Sequence, residues 1–220
     1  MRYISQMLPR SDDWSTRHSV LTTARRTAAL INALTDDRPD PAAVADVLRD
    51  YGEADPIDLT TRDVARMRAA AALLRHVFAA AHTDDAAAAL NRLLRDHTGQ
   101  LRLTSHGGST LWHPHLDHDD NAPWDAWLLA SSCMALTVLL WDHQRPPGRI
   151  CASPSCDNVF ITQGSGPERR YCSRRCATRE RVAAHRRAHS PGQPGTRPAS
   201  SAGPSTSTDP AQPRGPRIGP

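Results

Sequence analysis

Apolar residues recur every three or four positions through most of the first 145 residues, the period of helices that turn one face to a core. Val20, Leu21, Ala24, Ala28, Ile31 and Leu34 form the first such stripe. Asp40-Pro41 opens a second segment with a capping residue followed by the proline favoured at a helix start, and this segment ends near Tyr51-Gly52. Thr60 to Ala81 is the third, striped by Val64, Met67, Leu74, Val77 and Phe78. Thr83 then reads as the cap of a short Ala/Leu-rich helix that stops at Gly99.

Between Gln100 and Leu116 the period changes. Leu101 and Leu103 alternate with polar residues, Gly107-Gly108 signals a turn, and Thr110-Leu111-Trp112 resumes an extended pattern, which together predict a β-hairpin. Pro123 starts a long apolar helix, Trp124 to Trp141, and Arg145-Pro146-Pro147-Gly148 makes a stiff boundary after it. From Ser190 onward the chain has almost no large apolar side chain and is expected to be disordered. The expected fold class is therefore mostly α with one β-hairpin. It comprises a helical domain over residues 1–145, a small module over 146–189 and a Pro/Ser/Gly-rich tail over 190–220. No segment reads as a secretory signal and no run reaches the roughly 18 to 20 apolar residues of a membrane span, so a cytoplasmic protein without membrane contact is expected.

The second unit carries the most specific chemistry. Four of the five cysteines lie at Cys151, Cys156, Cys172 and Cys176, and the last pair runs into an arginine-rich segment. Gaps of four, fifteen and three residues suit two thiolate pairs closing around one tetrahedral Zn²⁺. A disulfide framework would suit a short secreted chain instead, and a CxxC redox motif does not fit the spacing. Cys133, inside the run LLASSCMALTVLL, reads as a small buried hydrophobe.

Charge is segregated in the same way. Residues 1–144 hold 14 arginines against 19 acidic residues, whereas residues 145–189 hold 10 arginines against 3. Four thiolates on a zinc ion would still leave the module at about +5, an attractor for phosphate. All 27 basic residues are arginine, so the composition hints at a GC-rich genome and does not by itself argue that arginine was chosen over lysine at this site.

A helix from Arg174 to His189, wound at about 100° per residue, would put Cys176, Ala177, Ala183 and Ala184 on one side. Arg174, Arg175, Thr178, Arg179, Arg181, His185, Arg186 and His189 would fall on the other, facing away from the metal. Docked beside a knuckle from Cys151 and Cys156, it makes a treble-clef-like module. Arg169 and Arg170, with Tyr171, are candidates for further phosphate contacts and one stacking ring.

A second cluster, His106, His113, His115, Asp117, His118, Asp119 and Asp120, crowds the hairpin. On a strand His113 and His115 would share a face, which would suit a metal or small ligand. The sequence favours a solvated loop, because neither a helical HExxH arrangement nor a nucleophile with a base is present.

The segment RICASPSCDNVFITQGSGPERRYCSRRCATRERVAAHRRAH resembles the CGNR-type zinc finger, and the residues before it, with an early ALINAL helix and a late hairpin, resemble the ABATE domain. Cys176-Ala177-Thr178-Arg179 stands where that finger has Cys-Gly-Asn-Arg, so the cysteine and arginine are kept and the two middle residues differ. The resemblance implies a bacterial transcription regulator. Its zinc finger would hold the arginine helix on duplex DNA, close to the nucleoid, while the N-terminal domain senses a small-molecule signal or forms a homodimer. The alternative is a zinc-stabilised module for protein or RNA partners that does not read DNA sequence. An enzyme is not expected, because a four-cysteine zinc is coordinatively closed and has no position for water. Cys172→Ser is expected to unfold residues 149–189 while the N-terminal helices persist.

Overall fold

A computed structural model describes residues 16–108, 110–162 and 169–189 of the chain. The tail expected to be disordered lies outside the described residues. Five helices build the first unit: α1 (Thr16–Leu34), α2 (Pro41–Asp50), α3 (Thr61–Ala79), α4 (Thr83–His97) and α5 (Trp124–His143). Strands β1 (Arg102–Thr104) and β2 (His113–His115) form an antiparallel hairpin between α4 and α5. The second unit adds the hairpin of β3 (Gly148–Ile150) and β4 (Val159–Ile161), then α6 (Arg174–His189).

Local signals explain most of the boundaries. Asp40 accepts from the Ala42 amide at 3.2 Å, with Pro41 at the first helical position. Thr60 and Asp63 close a reciprocal capping box at the start of α3. Gln144 ends α5 in the left-handed region at φ 51°. Thr83, expected to be a cap, already lies inside α4. His82 occupies the cap position with no side-chain bond, and the Thr83 hydroxyl donates instead to the Gln144 carbonyl at 3.1 Å. A tertiary partner has taken the side chain that the local motif would have used.

Helix α5 is the axis of the fold. It is long and apolar enough to cross a membrane by length and composition, yet it packs against α1, α3 and α4, with Leu128, Leu129, Cys133, Leu136 and Leu139 buried. Cys133 is fully enclosed, and burial pushes its thiol up to about 12, as suits a small hydrophobe. Thr27 on α1 donates to Ser132 on α5 at 2.8 Å, so the polar pair inside this core is satisfied.

The same core extends into the second unit. Val159 and Ile161 belong to the buried cluster that contains Leu30, Leu34, Leu74 and Phe78. A methyl group on Gly148 would stand 2.5 Å from the Phe78 ring, so only a residue without a side chain lets β3 lie on α3. Hairpin β3–β4 is therefore clamped by the helices as well as by whatever the cysteines hold.

The expected β1–β2 hairpin turns its polar side inward. Leu101 and Leu103 are both 65% exposed and Trp112 is 72% exposed, while Thr104 is buried and Arg102, His113 and His115 are half-buried. Polar side chains occupy the inner face because buried Asp117 and its neighbours provide partners there.

Candidate metal centre

The knuckle between β3 and β4 carries Cys151 and Cys156, and the turn leading into α6 carries Cys172 and Cys176. Ser173, just before the helix, accepts from the Cys176 amide at 3.3 Å, which fixes the first turn and aims Cys176 inward. The Cys156 amide donates to the Ser153 carbonyl at 3.0 Å, tightening the opposite loop.

All four sulfur atoms converge within 4.8 Å of one another, and none is in a disulfide. Cys172 Sγ lies 3.7 Å from both Cys156 Sγ and Cys176 Sγ. Four sulfurs about 2.3 Å from a tetrahedral zinc ion stand about 3.8 Å apart, so the spacing fits Zn²⁺ and is far too long for a disulfide. The donor chemistry fits as well. Burial pushes the Cys172 thiol up to about 12, whereas the Ser173 hydroxyl lowers Cys176 to about 7. Four thiolates packed this closely repel one another, and a cation at their centre offsets that charge. Zinc would supply that charge and bind Cys151, Cys156, Cys172 and Cys176 as one structural ion.

Around the sulfurs sits a polar shell that the spacing of cysteines does not reveal. The Cys172 amide points to Cys151 Sγ at 3.5 Å. Arg179 donates through Nη2 to Ser153 Oγ at 2.8 Å and reaches Cys176 Sγ at 3.5 Å. Ser153, buried in the knuckle, donates in turn to Glu180 Oε1 at 2.6 Å. The expectation that Arg179 faces away from the metal is corrected: three residues beyond Cys176 it lies on the same helical face, and sulfur attracts its cation. For Ser153 the sequence holds only a hint, one of two serines inside the CASPSC loop, and for Glu180 it holds none.

The remaining arginines divide. Arg169 donates to the Ile161 carbonyl at 3.0 Å and lies over the Phe160 ring at 5.4 Å, so it braces β4 while remaining exposed. Arg170 is exposed and lies 5.8 Å over the half-buried ring of its neighbour Tyr171. Arg174, Arg175, Arg181, His185 and Arg186 are exposed along α6, and Cys176 is the buried residue of that helix. Ala184, expected to face inward, is exposed too, whereas Ala177 and Ala183 on the same side are half-buried. A cleft of about 660 Å³ between α1 and the knuckle is lined by Arg25, Arg169, Arg175 and Arg179, with no carboxylate among the described residues of its walls.

Comparison with known families bears on both units. Residues 13–142 match the ABATE model, described as "putative stress-induced transcription regulator". The chain belongs to the ABATE family. Residues 148–189 match the CGNR zinc finger, so the ABATE domain is followed at once by the finger that carries the four cysteines. Neither description names an enzymatic activity. A search of curated proteins finds no match. In the CGNR finger of this chain, the arginine that ends the motif is the residue that touches sulfur and the knuckle serine.

Proposed function

We propose that this ABATE protein regulates transcription by binding duplex DNA, with zinc in the CGNR finger holding α6 so that its arginines meet the phosphate backbone. The carrying observation is a helix whose one buried side chain is a metal ligand and whose Arg174, Arg175, Arg181, His185 and Arg186 all reach solvent. A polar helix without an apolar stripe gains little from packing, so a fixed, outward, cationic rod is best explained by an anionic partner. Arg25 of α1 and Arg175 of α6 line one cleft, which extends the cationic surface onto the ABATE domain. Such a regulator would work in the cytoplasm at the nucleoid.

Arg170 and Arg179 are assigned supporting roles, the first beside Tyr171 and the second on the sulfur cluster; Arg169 braces β4 from the edge of the interface. The ABATE domain would receive the signal or pair with a second copy, the exposed Leu101, Leu103 and Trp112 being its apolar candidates.

Titration of duplex DNA at increasing salt tests the reading. Affinity should fall steeply, with a log–log slope of about −0.9 for each phosphate neutralised. Arg175→Ala with Arg181→Ala should lower affinity and flatten that slope without loss of zinc. A parent protein that prefers single-stranded RNA or an acidic protein in competition would favour the interaction-module alternative.

A further inference from the structure

Three histidine rings meet on the inner face of the β1–β2 hairpin. His113 Nε2 lies 3.0 Å from His115 Nε2 and 3.3 Å from His106 Nε2, and the three donor atoms fall within 4.8 Å of one another. All three rings are half-buried and Asp117 is buried, so the expectation of a solvated loop holds only for the exposed His118, Asp119 and Asp120.

The opposite side of each ring is occupied. His113 Nδ1 lies 2.7 Å from the Leu111 carbonyl, and His115 Nδ1 lies 2.9 Å from a carboxylate oxygen of Asp117. His106 Nδ1 stands 3.3 Å from Asp120 Oδ2. Oxygen acceptors at Nδ1 suit the tautomer in which the proton sits there, the form in which imidazole offers Nε2 to a metal. Ligands about 2.0–2.1 Å from a tetrahedral Zn²⁺ stand about 3.3 Å apart, close to the 3.0 and 3.3 Å that separate His113 from its two neighbours.

The carboxylates are themselves held. Arg102 pairs with Asp117 at 2.6 Å and Asp120 at 2.7 Å, and Thr104 donates to Asp120 at 3.0 Å. One guanidinium thus fixes both carboxylates that back His115 and His106. His106 adopts φ 47°, an unusual backbone for a side-chain-bearing residue, between Ser105 and the Gly107-Gly108 turn. The hairpin also leaves leucines and a tryptophan in water to keep this polar face inside. Ring, carboxylate and strained turn all serve the same convergence.

We propose that His106, His113 and His115 bind a divalent transition-metal ion, Zn²⁺ foremost, through Nε2, with a fourth position open to solvent or an anion. This site is separate in chemistry and place from the four-sulfur finger, and it does not depend on DNA binding.

Zinc quantified on the purified full chain should be about two ions per chain, falling to about one in H113Q/H115Q and about one in C172S. With the finger already zinc-filled, Co²⁺ added to the parent should bind saturably and give visible absorption without the sulfur-to-metal charge-transfer band. The His113→Gln/His115→Gln variant should lose that signal while keeping its finger zinc, which guards against misfolding. A parent that retains only the finger ion and shows no saturable Co²⁺ signal overturns the proposal. So does a histidine variant with unchanged metal content.

Discussion

Asn32 satisfies both main-chain groups of Val159: its amide nitrogen donates to the Val159 carbonyl at 3.0 Å, and its oxygen accepts from the Val159 amide at 2.8 Å. A helix side chain thereby acts as a neighbouring strand for β4 and ties the finger to α1. Asn32→Ala leaves two strand groups of a buried residue without partners. A loss of about 1–3 kcal/mol is expected for such a pair, read from urea unfolding. Asn32→Asp should not rescue it, because the donor is gone.

Gly148 reports the same junction from the other side. Gly148→Ala drives a methyl into the Phe78 ring and the Phe160 carbonyl. Overpacking of about 1–3 kcal/mol should follow, visible as a lower melting temperature. Combining it with Phe78→Leu should recover part of the loss.

Removal of zinc should not melt the whole region 149–189. Val159 and Ile161 share the helical core and β3 lies on Phe78, so β3–β4 has support of its own. With Cys172→Ser or a strong chelator, hydrogen exchange should accelerate in residues 169–189 and in the 151–157 knuckle, while β4 and α1–α5 keep their protection. Uniform loss of protection through β4 would mean that the metal supports the hairpin as well.

Arg179 is expected to act on zinc retention. Arg179→Ala removes the donor to Cys176 Sγ and to Ser153, and Ser153→Ala removes the acceptor of the same link. Each should weaken zinc affinity by about 10-fold or more, measured by competition with a chromophoric chelator, as expected for ligands that lose their supporting partners. Arg181→Ala, on the outward face, should leave zinc affinity unchanged.

The capping box gives a pH signature. The Thr60 hydroxyl, with its backbone amide, holds the Asp63 carboxyl below its ordinary 3.8. A carboxyl depressed in the folded state contributes stability that is present above 3.8 and lost as pH falls through the folded value. Asp63→Asn should therefore lower thermal stability at neutral pH, and the gap from the parent should close in acid. A gap that is constant with pH would assign the effect to something other than the charge.

Sequence periodicity determined much of this protein. The stripes of α1 and α3, the Asp40-Pro41 and Thr60 starts, the proline before α5, and α6 from Arg174 to His189 are local consequences of capping and 3.6-residue spacing. The four zinc ligands were legible for a similar reason, since loop length alone limits which cysteines can share an ion. Tertiary structure decided the rest. Only packing could show that Thr83 would serve Gln144, that the β1–β2 hairpin would bury its polar side, and that Arg179 would turn to sulfur. Asn32 and Val159, separated by 127 residues, meet because α1 and β4 share one core. Periodicity encodes which face of an element is apolar; the partner that each polar group finds depends on residues distant in sequence, and no local pattern contains them.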